Sequence, residues 1–436
     1  MTAACLTIEG ARLIDPTRGL DCPAGPQSRV HIRGEVIAAI GDPPADFSGQ
    51  QVIDAQGLVL MPGLIDLSAR LREPGFEYKA TLESEMRAAV AGGVTSLACP
   101  PDTDPVLDEP GLVEMLKHRA RGIEGARLYP VGALTVGLKG EKLTEMAELI
   151  EAGCVGFSQA LAPISDTQVL LRAMQYARTF GFRLWLQPQD PHLSRGGVAH
   201  SGAYASRLGL SGVPVIAETI ALHTLFELVR STGCAIHLLR VSSAAGVDLI
   251  RGARREGLPI TCDVSAHHLH MTDLDIGFFD SNCRVDPPFR SERDRDALRA
   301  GLAEGTIDAV CSDHTPVDDD AKLLPFAEAE AGVTGLELLL PLVLKWSQES
   351  GVPLVDALRG VTSGPARVIG LEPPVLEAGA PADLCLFDPQ RYWTVSRGTL
   401  QSQGTHTPYL GRAVQGRVCA TWVAGRRVWS DRSPSP

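Results

Sequence analysis

Through the middle of the chain, short apolar runs alternate with longer amphipathic segments. The runs are LVLMPGLIDLSAR (58–70), GVTSLACP (93–100), ARLYPVGAL (126–134), GCVGFSQA (153–160), FRLWLQPQ (182–189), CAIHLLRVSS (234–243), PITCDVSAHH (259–268) and TIDAVCSDH (306–314). Each reads as a buried strand. Between them lie segments such as LESEMRAAVAGG, with acids early and glycines closing the run, which is the signature of a capped helix. Strand and helix in strict alternation predict βαβ units around a parallel sheet. Eight such units fit a TIM (β/α)8 barrel, a fold that places its functional residues at the C-terminal ends of the strands.

The two ends of the chain follow a different rhythm. CLTIEGARLID, RVHIRGEVIAAIG and QQVIDAQG are β-rich and punctuated by Gly, Pro and Asp, and GAPADLCLFDP, YWTVSRG and GRVCATWVAGRRVW repeat the style near the C-terminus. The AGRR step predicts a hairpin. The expected organisation is a β-sandwich built from residues 1–57 and 371–436, with the barrel, residues 58–370, inserted between its halves.

All the apolar runs but the third end in large polar groups: Ser68 and Arg70, Asp102 just beyond its strand, Ser158 and Gln159, Gln187, Arg240, His267 and His268, Asp313 and His314. A strand that leaves the core turns polar anyway, so any one of these alone means little. Their recurrence around one rim predicts a site at the barrel mouth.

Composition narrows the function classes. With 40 basic against 52 acidic residues the net charge is −12, and no basic tract offers itself to phosphates. Nucleic acid and anionic membranes are excluded as expected partners. The ten cysteines contain no C-x-x-C pair, and most lie in apolar runs, as expected of a reducing cytoplasm. The opening residues lack a basic and apolar leader pattern, and no stretch reaches membrane-spanning length, so a soluble, unprocessed, cytoplasmic protein is expected.

The stretch PGLIDLSARLREPG (62–75) resembles the first strand of the dihydroorotase family of the amidohydrolase superfamily, which normally reads PGxIDxHxHLREPG. The resemblance continues through ACPPDTDP (98–105), GVAHSG (197–202), HLLRVSSAAGVDLIR (237–251), TCDVSAHHL (261–269), RVDPPFR (284–290), GTIDAVCSDHTP (305–316) and GVTGLELLLPL (332–342). It implies an amidohydrolase-type barrel with a terminal β-sandwich. In that family zinc at the barrel mouth activates a hydroxide, and the reaction is the reversible cyclisation of N-carbamoyl-aspartate in pyrimidine biosynthesis.

The same resemblance marks where this chain departs. The family's paired zinc histidines fall on Ser68 and Arg70, the bridging carboxylate on Gln159, a third histidine on Gln187 and a fourth on Arg240. A guanidinium stays protonated at any working pH and cannot ligate zinc. Only Asp313, the family's general base, keeps its type, as a vestige. Around it the resemblance places a vestigial substrate pocket of Arg72, Asp102, Asp286, His267 and His314, with carboxylates at the two positions where the family has asparagine. No metal and no other cofactor is expected. An Arg/Asp/Gln network is expected to plug the space. The function implied is that of a catalytically silent chain of the kind that assembles with aspartate transcarbamoylase. Two alternatives stand beside it: an active cyclic-amide hydrolase with an atypical site, and a sensor in which Arg70, Arg72 and Arg240 grip a small dicarboxylate.

Overall fold

In the computed structural model, which describes residues 5–47 and 51–431, the middle of the chain closes into a parallel barrel. Its strands are β1 (Leu64–Asp66), β2 (Val94–Cys99), β3 (Arg127–Pro130), β4 (Phe157–Ser158), β5 (Leu184–Leu186), β6 (Ile236–Leu238), β7 (Ile260–Ser265) and β8 (Ala309–Cys311). Neighbours in this order are hydrogen-bonded in parallel register, with Gly132–Ala133 carrying the β3 path on to β4. Beyond the regular strands, a bridge from Ala69 to His314 joins the β8 end to the β1 end. The expected opening residues 1–4 and Gln50 of the QQVIDAQG run lie outside the described residues.

The helices start and stop where local chemistry says they should. Helix Leu82–Ala91 opens on Thr81, whose side chain accepts from the Ser84 amide in a reciprocal capping box, and it carries Glu83 and Glu85 in its first turn. Ile65, Leu67, Ala98, Val131, Trp185, Ala309 and Cys311 form one buried apolar cluster contributed by the barrel strands and their ends. A larger cluster, including Leu64, Val94, Leu97 and Val264, packs strands against helices.

The chain's two ends share two sheets. One is ordered Val36–Ile40, Val30–Arg33, Cys5–Glu9, Gln51–Asp54; the other Arg426–Ser430, Ala413–Val423, Leu384–Thr394, Val59–Pro62, Arg12–Asp15, Leu20–Cys22. Ile8, Leu13, Ile32, Leu60, Leu384 and Trp422 are buried together between them. The AGRR hairpin is present, with Ala424 at φ 50° and Gly425 at φ 70°, the left-handed pair that a two-residue hairpin turn requires.

Two expectations need correction. The run 58–70 is not one strand, because Val59–Pro62 pairs with Leu384–Phe387 in the terminal sheet before Leu64–Asp66 enters the barrel. The sandwich therefore reaches past residue 57. Gly63 makes the crossing: a Cβ there would sit 2.1 Å from Thr95 Cγ2, so only glycine lets the chain pass so close to β2. The run 259–268 also stops early. Ser265 caps the amide of His267 and turns Ala266–Leu269 into a 3-10 helix, so His267 and His268 do not alternate across a strand. Among the described residues no helix is long and apolar enough to cross a membrane.

Candidate functional site at the barrel mouth

Four of the polar strand ends, Arg70, Gln187, Arg240 and Asp313, converge at the barrel mouth, and the backbone there is held in costly conformations. Arg240 follows β6 with φ 51°, Asp313 follows β8 with φ 47°, Ala160 follows β4 with φ 49°, and Arg72 has φ 63°. Left-handed non-glycine residues cost roughly 1–3 kcal/mol each and persist only where their surroundings over-determine them. For Arg240 the clamp is visible: its backbone N–H donates to Asp263 Oδ1 at 2.7 Å, while Asp263 Oδ2 lies 3.0 Å from His237 Nε2.

Asp313 is the centre of the site. Arg240 Nη1 donates to its Oδ1 at 3.0 Å, and Arg70 Nη1 stands 3.7 Å from the same oxygen. Arg240 Nη2 reaches Gln187 Oε1 at 2.5 Å, and Gln187 Nε2 donates on to Gln189 Oε1 at 2.7 Å. Arg70 donates through Nε to Asp102 Oδ2 at 2.7 Å and through Nη1 to Thr315 Oγ1 at 3.0 Å. Arg70, Arg240 and Asp313 are buried, and Asp102 is 22% exposed. The two guanidiniums thus meet two carboxylates, a balance without which burying them would be prohibitive.

The titration directions follow this pairing. Burial disfavours the Arg240 cation, but Asp313 and Asp286 outweigh it and the guanidinium is held more firmly charged than usual. Burial likewise acts against an ionised Asp102, and Arg70 with Arg72 overcomes it, leaving the carboxyl below its ordinary value. For Asp313 burial prevails and pushes the carboxyl upward against the opposing pull of Arg240 and Arg70.

Other members of the anticipated set lie elsewhere. Gln159 does not join the network; its Oε1 accepts from Thr135 Oγ1 at 2.9 Å, and its buried Nε2 has no partner. His314 leaves the mouth altogether, placing Nε2 2.5 Å from Glu85 Oε2 and accepting the Gly335 amide at Nδ1. His267 turns its ring toward Tyr409, with centroids 5.7 Å apart, and burial lowers it to about 3. Asp313 and His314, though adjacent, part company at the left-handed backbone of Asp313, φ 47°. Arg72 donates to the carbonyl of Pro316 at 2.8 Å, and Asp286 acts on Arg240 through charge alone. His268 bonds the Pro287 carbonyl at 3.1 Å and is lowered by burial to about 4.

The structure gives Asp102 a role that linear reading did not, as the counter-ion of Arg70, and adds two residues it did not name: Thr315 is the second acceptor of Arg70, and Asp263 fixes both His237 and the Arg240 backbone. A buried acid in the apolar run PITCDVS was the available signal for Asp263.

Zinc needs three or more imidazole, thiolate or carboxylate donors converging on one point. Among the described residues no group of three His, Cys, Asp or Glu side chains is arranged to hold a metal ion. At the mouth, the carboxylate that could contribute is already covered by guanidinium. The space left between Ser68, Arg70, Ser158, Trp185 and Arg240 is about 10 Å³, roughly what one water occupies. These residues do not fit the ion.

A family model described as dihydro-orotase-like matches residues 57–245, and one described as amidohydrolase family matches residues 217–428. A dihydroorotase-like protein of Pseudomonas putida is 44% identical over 420 residues, covering 96% of this chain and 98% of its own. A dihydroorotase of Anaeromyxobacter dehalogenans is 40% identical over 428 residues, 98% of each chain. The solved structure of L-hydantoinase (dihydropyrimidinase) from Arthrobacter aurescens superposes with a TM-score of 0.85 over 98% of this chain and 96% of that one. At 23% identity that likeness speaks for the fold alone.

Proposed function

Because this chain belongs to the dihydroorotase family of the amidohydrolase superfamily, we propose that it is a member whose barrel mouth serves structure instead of zinc-dependent hydrolysis. The observation that carries this reading is the capture of Asp313 by Arg240, with Arg70 alongside. A general base must be free to take a proton from an attacking water. Asp313 is instead the shared anion of two permanent cations. Ser68, Gln159 and Gln187 supply no zinc donor to offset that loss.

In this reading the chain contributes to pyrimidine biosynthesis as an assembly subunit for aspartate transcarbamoylase, the partner implied by the family resemblance. The dicarboxylate-sensor alternative is weaker, since Arg70 and Arg240 already spend their charge on Asp102 and Asp313. The test is direct. The purified chain, with zinc added, should show no hydrolysis of dihydroorotate above background, and it should co-elute with aspartate transcarbamoylase of the same organism as a large complex. Turnover lost in Asp313→Ala, or failure of the two chains to associate, would count against the proposal.

A further inference from the structure

Behind the Gln187 side of the network lies a cavity of about 120 Å³ that neither the plugged mouth nor the assembly role explains. It opens between the loops that follow β4 and β5 and the helices Thr167–Phe180 and Val215–Thr232. Its apolar walls come from the helices, β5 and the loop after β4: Leu170, Leu225, Leu186 and Ile164. Its polar edge carries the amides of Gln159, Gln187 and Gln189 together with Thr167, Thr224 and His192. This is the composition of a small-molecule pocket, an apolar chamber with a few placed polar groups.

The second observation is an unused donor. Gln159 is 4% exposed and lines this cavity, and its Nε2 has no hydrogen-bond partner. Thr135 Oγ1 accepts the Gly140 amide at 2.9 Å and donates to Gln159 Oε1 at 2.9 Å, and the Gln159 NH2 group is left for something else. A buried donor without an acceptor is costly, and the acceptor it lacks is an oxygen.

Charge restricts the ligand further. Asp190 and His192 line the cavity and no Lys or Arg does. An anion would meet the acidic Asp190 with no permanent cation to offset it. We propose that this cavity is a binding site for a small neutral molecule, a five- or six-membered ring or short chain bearing a carbonyl, whose oxygen accepts from Gln159 Nε2 while its carbon frame packs on Ile164, Leu170, Leu186 and Leu225. The volume sets the ceiling, being slightly below that of an apolar cavity of about 150 Å³ that accommodates benzene.

The inference does not rest on the assembly role, and its test leaves that role untouched. The full chain is titrated with δ-valerolactam as the neutral probe and cyclobutanecarboxylate as an anion of similar size, following protein NMR shifts of the 159–170 and 186–192 segments. The lactam should bind saturably in the millimolar range and the carboxylate should not. Gln159→Leu, which removes the donor, should weaken lactam binding about tenfold, the effect of one buried hydrogen bond. Ala221→Phe, which fills the chamber from the half-buried face of its helix, should abolish binding while circular dichroism and the thermal transition report an intact fold. Absence of saturable lactam binding, equal binding of the carboxylate, or affinity unchanged in both folded variants would overturn the proposal.

Discussion

Asp313 and His314 are consecutive residues past the end of β8, yet they serve two unlike regions. Asp313 turns into the barrel mouth, where its partners are permanent cations, Arg240 and Arg70. His314 turns outward into a seam where Glu85 is shared among the His314 ring, the Ser402 hydroxyl at 2.7 Å and the Gln403 amide at 3.1 Å. Glu337 lies in the same seam and accepts from the amides of Gln401 and Ser402 at 2.7 and 3.1 Å. The seam ties the loop before the last long strand to the barrel. Both regions are buried and polar. They differ in what holds the carboxylate: charge that no pH can remove at the mouth, and neutral amides, hydroxyls and an imidazole in the seam. The mouth should therefore be sensitive to loss of a cation, and the seam to pH.

The largest effect is expected at the mouth. Arg240→Ala leaves Asp313 buried with only the more distant Arg70, and stability measured by urea unfolding should fall by about 3–5 kcal/mol, as when one member of a buried pair is removed. Replacing both partners, Arg240→Met with Asp313→Leu, should recover most of that loss, because the pair's desolvation cost disappears with it.

In the seam, pH separates the two carboxyls. Burial raises Glu337 from its ordinary 4.5 to about 7, against the pull of the Ser402 and Gln401 amides. A raised folded value means that the folded state binds the proton more tightly than the unfolded one. Its stabilising contribution is complete below pH 4.5 and is lost as pH rises through about 7. Glu337→Gln keeps the oxygen acceptor and cannot ionise. It should match the parent near pH 4 and be the more stable at pH 8 by on the order of 3 kcal/mol. Glu85 behaves oppositely: burial works against its charge, but His314 prevails and holds it below 4.5. Its contribution is present above 4.5 and lost as pH falls through the lower folded value. Glu85→Gln should cost roughly 1.5–3 kcal/mol near pH 7, the range for hydrogen bonds to a charged group. It should also speed amide exchange at Gln403, whose N–H donates to Glu85. If Glu85→Gln destabilised more than Arg240→Ala, the contrast between the two regions would fail.

The barrel was legible in the sequence because apolar runs and capped helices alternate with the right periods, and the rim residues could be found because strand ends in such a barrel share one mouth. The run 58–70 was misread because an apolar stretch does not say which sheet it joins, and the crossing at Gly63 depends on Thr95, a residue 32 positions away. Arg70, Arg240 and Gln187 could be anticipated around Asp313 since each sits at a strand end. Asp102 was placed in a vestigial substrate pocket, whereas its geometry makes it the partner of Arg70. Gln159 was grouped with the network because it occupies a strand end, but a long side chain can choose its neighbour, and here it chooses Thr135. The Glu85–His314 contact joins residues 229 apart and had no local signature at all.

The central claim is that guanidinium charge occupies the place where this family carries metal. Elemental analysis of the full chain, purified without chelator from zinc-supplemented culture, tests it most directly. Zinc far below one ion per chain is the predicted result, and one or two ions per chain, lost together with native structure on chelation, would contradict it.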